Sequence, residues 1–290
     1  MRRRSIVIGA SGQLGSALCR LLKRAGHEVL ETAYRNRKPG QISLDLGRRE
    51  ETVAILQDLK PEWILVAGAF CKVDQCQRDP KTCIRVNVEG PRAIAQWAKG
   101  RDGTVVYYST DHVFDGSREA HTESDAVHPL NVYARSKVEA EEMLRECLPE
   151  QHLILRTAWL YGPDPARRNF VLRLMDQVSA GRPVQVPDDQ WGSPTYTEDL
   201  AEATRFLLER GLGGTFHATG PDFLDRVSWA RQVCAQAGLD LRLVAAVPTD
   251  QLKQAAPRPL RVRLDCRKLA AAGVGRFRGL EAGLDALVRS

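Results

Sequence analysis

The sequence predicts an α/β protein: a doubly wound parallel sheet with a smaller C-terminal lobe. Three observations point there. Short apolar runs alternate with amphipathic segments of helical period through the first half of the chain. A glycine-rich turn joins the first such pair. The residues able to do chemistry then fall at the carboxyl ends of the apolar runs. With 290 residues and 43% apolar content, the chain can build one large domain, or a main domain and a lobe.

Residues 5–8 read as a buried strand, followed by Gly9-Ala10-Ser11-Gly12-Gln13-Leu14-Gly15. Leu14, Ala17, Leu18, Leu21 and Leu22 recur at helical spacing, and Gly26 supplies a stop. Glycine permits a tight turn and close backbone approach, while the helix start offers unpaired N–H groups. Gly9, Gly12 and Gly15 therefore predict a pyrophosphate-binding turn of the Rossmann type. Residues 28–34 form the second strand. An NAD-binding strand of this type usually ends in an acid for the ribose hydroxyl. Here it runs into Tyr34-Arg35-Asn36-Arg37-Lys38. Arg35 and Arg37 would attract a 2′-phosphate, so the expected cofactor is NADP(H), with NAD(H) as the alternative.

Val53, Leu56 and Leu59 mark a helix and residues 63–67 a strand. One longer helix after Pro80 carries Val86, Asn87, Ile94 and Trp97, and the strand at 104–108 ends in Ser109-Thr110. The helix around Tyr133 and a strand at 152–155 complete the series. Gly9, Arg35, Ala69 and Thr110 thereby share one edge of the sheet, where ligands gather.

Within Asn131-Val132-Tyr133-Ala134-Arg135-Ser136-Lys137, Tyr133 and Lys137 are four apart and share a helix face. A free phenol titrates near ~10. A neighbouring ammonium lowers that value and yields a proton donor usable near neutrality. The Thr110 hydroxyl would bind the oxygen that receives the proton. The trio suits reduction of a carbonyl, although Tyr-x-x-x-Lys by itself also describes a solvated pair.

After Arg156 the pattern loosens. A helix at 170–179, a strand at 184–186 and a helix from an N-cap at Thr197 to about Glu209 follow. Then come a strand at 215–218, a helix capped by Ser228 and a last one with Leu280, Leu284 and Leu287. The expected division is an NADP(H)-binding Rossmann domain at 1–156, with 184–212 packing back on it. Residues 157–183 and 213–290 would form the substrate-binding lobe.

Lys plus Arg number 42 against 36 Asp plus Glu, a net +6 and a pI near 9.0. No basic block with interleaved aromatics appears, so nucleic acid is not an expected partner. The apolar run behind Arg2-Arg3-Arg4 breaks at Gly9, and no segment reaches spanning length. The expectation is a cytoplasmic protein without a membrane partner. The seven cysteines are scattered, and the spacing of Cys71, Cys76 and Cys83 fits no zinc site, so no metal is expected.

Several longer stretches resemble the extended short-chain dehydrogenase/reductase family. They are most similar to dTDP-4-dehydrorhamnose reductases and their homologue, the regulatory β subunit of methionine adenosyltransferase. The motifs are Gly9-x-x-Gly12-x-x-Gly15, Ser109-Thr110-Asp111-His112-Val113-Phe114-Asp115-Gly116 and Pro129-Leu130-Asn131-Val132-Tyr133. Further ones are Arg156-Thr157-Ala158-Trp159-Leu160-Tyr161-Gly162 and Asp188-Asp189-Gln190-Trp191-Gly192-Ser193-Pro194-Thr195. The resemblance implies Tyr133 as general acid, Lys137 as its activator and ribose anchor, and Thr110 as carbonyl partner. It implies Gly12, Gln13 and Leu14 at the pyrophosphate, and Asp45 and Leu46 at the adenine. Ala69, Phe70 and Tyr108 would stand where the cofactor crosses the sheet, Asp111 and Trp159 at the deoxysugar nucleotide, and Asn87 would steady the site.

Three positions depart from the pattern: His112 for Tyr, Val66-Ala67-Gly68-Ala69 for Asn-Ala-Ala-Ala, and Cys71 for Thr. The implied activity is NADPH-dependent reduction of a 4-keto-6-deoxy sugar nucleotide. The alternatives are a non-catalytic NADP-binding regulatory subunit and a nucleotide-sugar epimerase or dehydratase. No additional Glu or Cys adjoins Thr110 in sequence for dehydratase chemistry. A homodimer is compatible with the sequence and not specified by it.

Overall fold

Along the first strand, β1 (Arg4–Ile8), Val7 joins one apolar cluster with Leu65, Val106 and Leu153. Ile6 and Ile8 join another with Ile64, Val66 and Val105. Both faces of the strand are apolar, so both must be covered. The computed structural model describes residues 2–289.

After β1 come α1 (Gln13–Arg24), β2 (Glu28–Ala33), β3 (Ile42–Ser43), α2 (Arg49–Leu59) and β4 (Trp63–Val66). Next are α3 (Val73–Arg78), α4 (Pro80–Ile84), α5 (Gly90–Ala98), β5 (Thr104–Thr110), α6 (Val132–Cys147) and β6 (His152–Thr157). The later chain forms β7 (Leu160–Tyr161), α7 (Phe170–Ser179), β8 (Val184–Pro187), β9 (Trp191–Gly192), β10 (Thr195–Tyr196) and α8 (Thr197–Glu209). It ends in β11 (Gly214–His217), β12 (Leu224–Asp225), α9 (Arg226–Gln236), β13 (Val244–Val247), α10 (Arg267–Ala271) and α11 (Leu280–Val288).

Seven strands form one parallel sheet in the order β11-β6-β5-β4-β1-β2-β3. Helices α1 and α8 cover one face, through Leu18, Leu22, Leu200 and Leu207. Helices α2, α5 and α6 cover the other, through Leu56, Ile94 and Leu144. This is the doubly wound Rossmann arrangement. A separate cluster around Tyr161, Leu174, Trp229 and Leu284 builds the smaller lobe from α7, α9 and α11.

The second half of the chain differs from expectation in four places. Strand β11 joins the main sheet beside β6 and gives that strand a partner on its outer edge. Strand β8, expected to pack back on the main domain, pairs with β13 in the lobe, whereas α8 does return and packs on α1. Four-residue strands carry no information about their partners, so only the packed chain decides this. Thr197 does not cap α8. Tyr196 holds that position, and the Thr197 hydroxyl donates to Tyr161 O at 2.9 Å. Asp225, not Ser228, caps α9: its carboxylate accepts from Ser228 N at 2.8 Å and from Ser228 Oγ at 2.6 Å.

The single long helix expected after Pro80 is also interrupted. Arg85–Glu89 forms a π turn between α4 and α5, and Asn87 is buried within it. Among the described residues no helix is long and apolar enough to cross a membrane.

Candidate active site

The glycine turn packs backbone against backbone. Gly9 has φ +88°, and a Cβ there would lie 2.7 Å from Gly68 Cα; one at Gly15 would lie 2.1 Å from Gly9 O. Only glycine fits such approaches, and the turn holds a cradle that side chains would fill. No side chain caps the α1 N-terminus at Gly12, which leaves its first-turn N–H groups available to an anion.

Ser11 Oγ donates to Arg35 O at 3.2 Å and draws the loop after β2 against this turn. Arg35 and Arg37 are both exposed, with the Arg35 guanidinium 5.3 Å from the Tyr34 ring centroid. These features fit a phosphorylated dinucleotide. Gln13 and Leu14 border the turn by their backbones, since the Gln13 amide donates to Thr197 Oγ1 and Leu14 is buried in the core. Asp45 accepts from Gly47 N at 2.9 Å and pairs with Arg85 at 3.7 Å and Arg48 at 3.8 Å. Leu46 packs against Gly90, where a Cβ would come within 2.4 Å of Leu46 O.

Ala69 and Phe70 follow β4. Asn87 clamps this segment: its Oδ1 accepts from Phe70 N at 2.8 Å and its Nδ2 donates to Phe70 O at 3.1 Å. Nδ2 also donates to Ser136 Oγ at 3.1 Å, which ties the loop to α6. The π turn that buries Asn87 is what makes this clamp.

Helix α6 begins at Asn131, whose side chain accepts from Ala134 N at 2.9 Å and donates to Pro257 O at 2.9 Å. Tyr133, Lys137 and Glu141 then line one face. Lys137 Nζ donates to Tyr108 O at 2.8 Å, lies 4.4 Å from the Tyr107 ring centroid and 5.9 Å from that of Tyr133. The Tyr108 side chain turns the other way and donates to Thr204 Oγ1 of α8 at 3.1 Å. Thr110 Oγ1 donates to Asp111 Oδ1 at 3.0 Å and accepts from His112 N at 3.2 Å. The His112 ring meets Tyr133 edge-on at 6.2 Å, and burial pushes its pKa down, which favours the neutral ring.

The electrostatics differ from the helical-spacing argument. Burial raises the Tyr133 phenol above its ordinary value; Cys71 and Asp111 add to the rise, and the Thr110 hydroxyl opposes it. Burial also lowers Lys137 to about 8. Desolvation outweighs the ammonium because Lys137 is committed to the Tyr108 carbonyl instead of to the phenol. Folding also brings Cys71 close enough to act on Tyr133 and Lys137, which their separation in sequence hides.

Trp159 packs against the core of the lobe, with φ +43°, stacked on Trp229 at 5.3 Å and 15°. A Cβ at Gly192 would lie 2.5 Å from Trp159 Cε2, so that glycine makes room for the indole. Beside it lies Arg226, which the sequence reading missed. The available signal was Asp225 three residues before Ser228, a capping pair that sets Arg226 at the first position of α9.

The chain matches the RmlD substrate binding domain over residues 3–290. It is 33% identical over 289 residues to a dTDP-4-dehydrorhamnose reductase of Streptomyces griseus, covering 98% of this chain and 92% of that protein. It is 32% identical over 260 residues to a dTDP-4-keto-6-deoxy-D-glucose reductase of Streptomyces niveus, covering 89% and 87%. A crystal structure of dTDP-4-dehydrorhamnose reductase from Bacillus anthracis in complex with NADP superposes with a TM-score of 0.91 at 28% identity, covering 100% and 99% of the two chains. The chain thus belongs to the RmlD family of extended short-chain dehydrogenases/reductases, together with the dTDP-4-dehydrorhamnose reductases.

Proposed function

We propose that this protein reduces the 4-keto group of a 6-deoxy-4-keto sugar nucleotide with NADPH, Tyr133 acting as general acid. The observation that carries the reading is the meeting of Tyr133, Lys137 and Thr110 at the sheet edge that also bears the glycine cradle. Gly9, Gly12, Gly15 and the backbones of Gln13 and Leu14 would hold the pyrophosphate, and Arg35 and Arg37 the 2′-phosphate. Asp45 and Leu46 would border the adenine, and Ala69 and Phe70 the middle of the cofactor. When bound, NADPH supplies the hydride.

This chain's residues do the rest. Thr110 holds the ketone oxygen, exchanging its bond to Asp111 for one to substrate. Tyr133, kept protonated by burial, gives its proton to that oxygen as negative charge develops there. Lys137, one helical turn away, steadies the phenolate left behind. Asp111 and Trp159 bound the sugar from the lobe side, and 157–183 with parts of 213–290 serve as the substrate lobe. The same intact trio argues against a purely regulatory subunit. Asp111 is followed by His112, so Thr110 has no Glu beside it of the kind dehydratase chemistry would want.

Mixing the protein with NADPH and dTDP-4-dehydrorhamnose, and following oxidation of the nicotinamide, tests the activity. Tyr133→Phe should lower the rate by roughly 10²- to 10⁴-fold with NADPH affinity nearly unchanged. A wild-type rate in that variant would remove Tyr133 from the acid role.

A further inference from the structure

In the lobe, the Arg226 guanidinium has one nitrogen, Nε, with nothing to bond. Arg226 donates its backbone N–H to Gln190 O at 2.9 Å. Among the described residues its Nε is buried with no hydrogen-bond partner, and no carboxylate lies within ion-pairing distance of its side chain. The guanidinium instead lies on aromatic rings, its carbon 3.8 Å from the centroid of Trp159, 5.0 Å from Phe170 and 5.5 Å from Trp229. Stacking satisfies the face of a guanidinium but not its edge, where five N–H donors lie in the plane. A buried donor without an acceptor is rare enough to ask what it waits for.

The surroundings make the answer an anion. Asp111 acts on the charge of Arg226, and Arg226 on that of His112, so the guanidinium lies within electrostatic reach of the Thr110 turn. Asp111 already accepts the Thr110 hydroxyl and forms no ion pair with Arg226. Arg173 and Arg258 add positive charge within range, although Arg258 is matched by Asp74 at 3.0 Å. Burial pushes the Arg226 guanidinium down to about 10, while the residue keeps partial contact with solvent. The platform beneath is fixed: Trp159 is wedged between Trp229 and the space left at Gly192.

We propose that Arg226 binds the diphosphate of the substrate, its unsatisfied edge receiving the phosphate oxygens while Trp159 supports its face. The ketone would then face Thr110 and Tyr133, since diphosphate and ketone sit at opposite ends of one hexose ring. The inference rests on the sugar-nucleotide reading above and adds the residue that would hold the nucleotide's charge.

Calorimetric titration with dTDP, UDP and uncharged thymidine tests it, using wild type, Arg226→Met and Arg226→Lys. Met keeps an unbranched chain on Trp159 and removes the charge. Its dTDP affinity should fall about ten- to a hundredfold, the worth of one charge-assisted contact. Thymidine and NADPH affinities should stay as in wild type, the latter also reporting that the variant is folded. Lys should recover part of the loss, having the charge but not the fork. With substrate, the Met variant should show the change in KM and little in kcat. Equal dTDP affinity in wild type and Arg226→Met, with turnover intact, overturns the assignment and leaves the reductase reading standing. Failure of wild type to bind either nucleoside diphosphate overturns both.

Discussion

Lys137 illustrates how one side chain sets a conflict between function and stability. Its ammonium is buried and its pKa falls from 10.5 to about 8. Between those values the unfolded chain binds more protons than the folded one, so stability rises with pH from about 8 to about 10.5. Below about 8 the buried charge costs the fold on the order of 3 kcal/mol, at about 1.36 kcal/mol per pH unit. Lys137→Met should therefore be more stable than wild type near pH ~7, the advantage shrinking as pH approaches ~10. Urea unfolding of both proteins at the two pH values measures it. Equal stability near neutrality would mean that the Tyr108 carbonyl and Tyr107 ring fully compensate the charge. Helical spacing made the Tyr133–Lys137 pair legible in the sequence. It gave the wrong direction for the phenol, because spacing says nothing of how dry a site becomes.

At the scale of elements, the buried ion pair between α6 and β6 fixes where the Tyr133 face lies. Arg156 Nε donates to Glu141 Oε1 at 3.0 Å and its NH2 to Oε2 at 2.7 Å, with both side chains essentially without exposure. Arg145 from the same helix reaches Oε2 at 2.5 Å. Glu141→Ala strands the Arg156 guanidinium in the core beside Phe114 and a neutral His217. It should lower unfolding free energy by roughly 3–5 kcal/mol. Denaturant midpoints at unchanged m-value report this, and a loss below ~1 kcal/mol would show that water or rearrangement rescues the arginine. The βα alternation was legible because strands covered on both faces read as continuous apolar runs. The Asn87 clamp and the β8–β13 pairing were not, for they depend on a π turn and on which short strands meet in space.

For the whole molecule, α8 is the piece that joins the two lobes. It packs on α1, Arg20 pairs with Glu198, Gln13 bonds Thr197, and Thr197 in turn bonds Tyr161 at the start of the lobe. With the cores so linked, urea unfolding should follow one transition by both tryptophan fluorescence and circular dichroism. Two separated transitions would show the lobe to be an independent unit. The order of the strands has another consequence, for synthesis on the ribosome. β6 ends at Thr157, but its outer partner β11 begins only at Gly214. At about 5–20 residues per second, the nascent chain presents β6 as an open edge for several seconds before the sheet can close. An open edge pairs with any extended chain it meets. A chaperone that shields this edge would therefore raise the yield of full-length protein, and a chain stopped shortly after Thr157 would keep the edge bare and tend to aggregate.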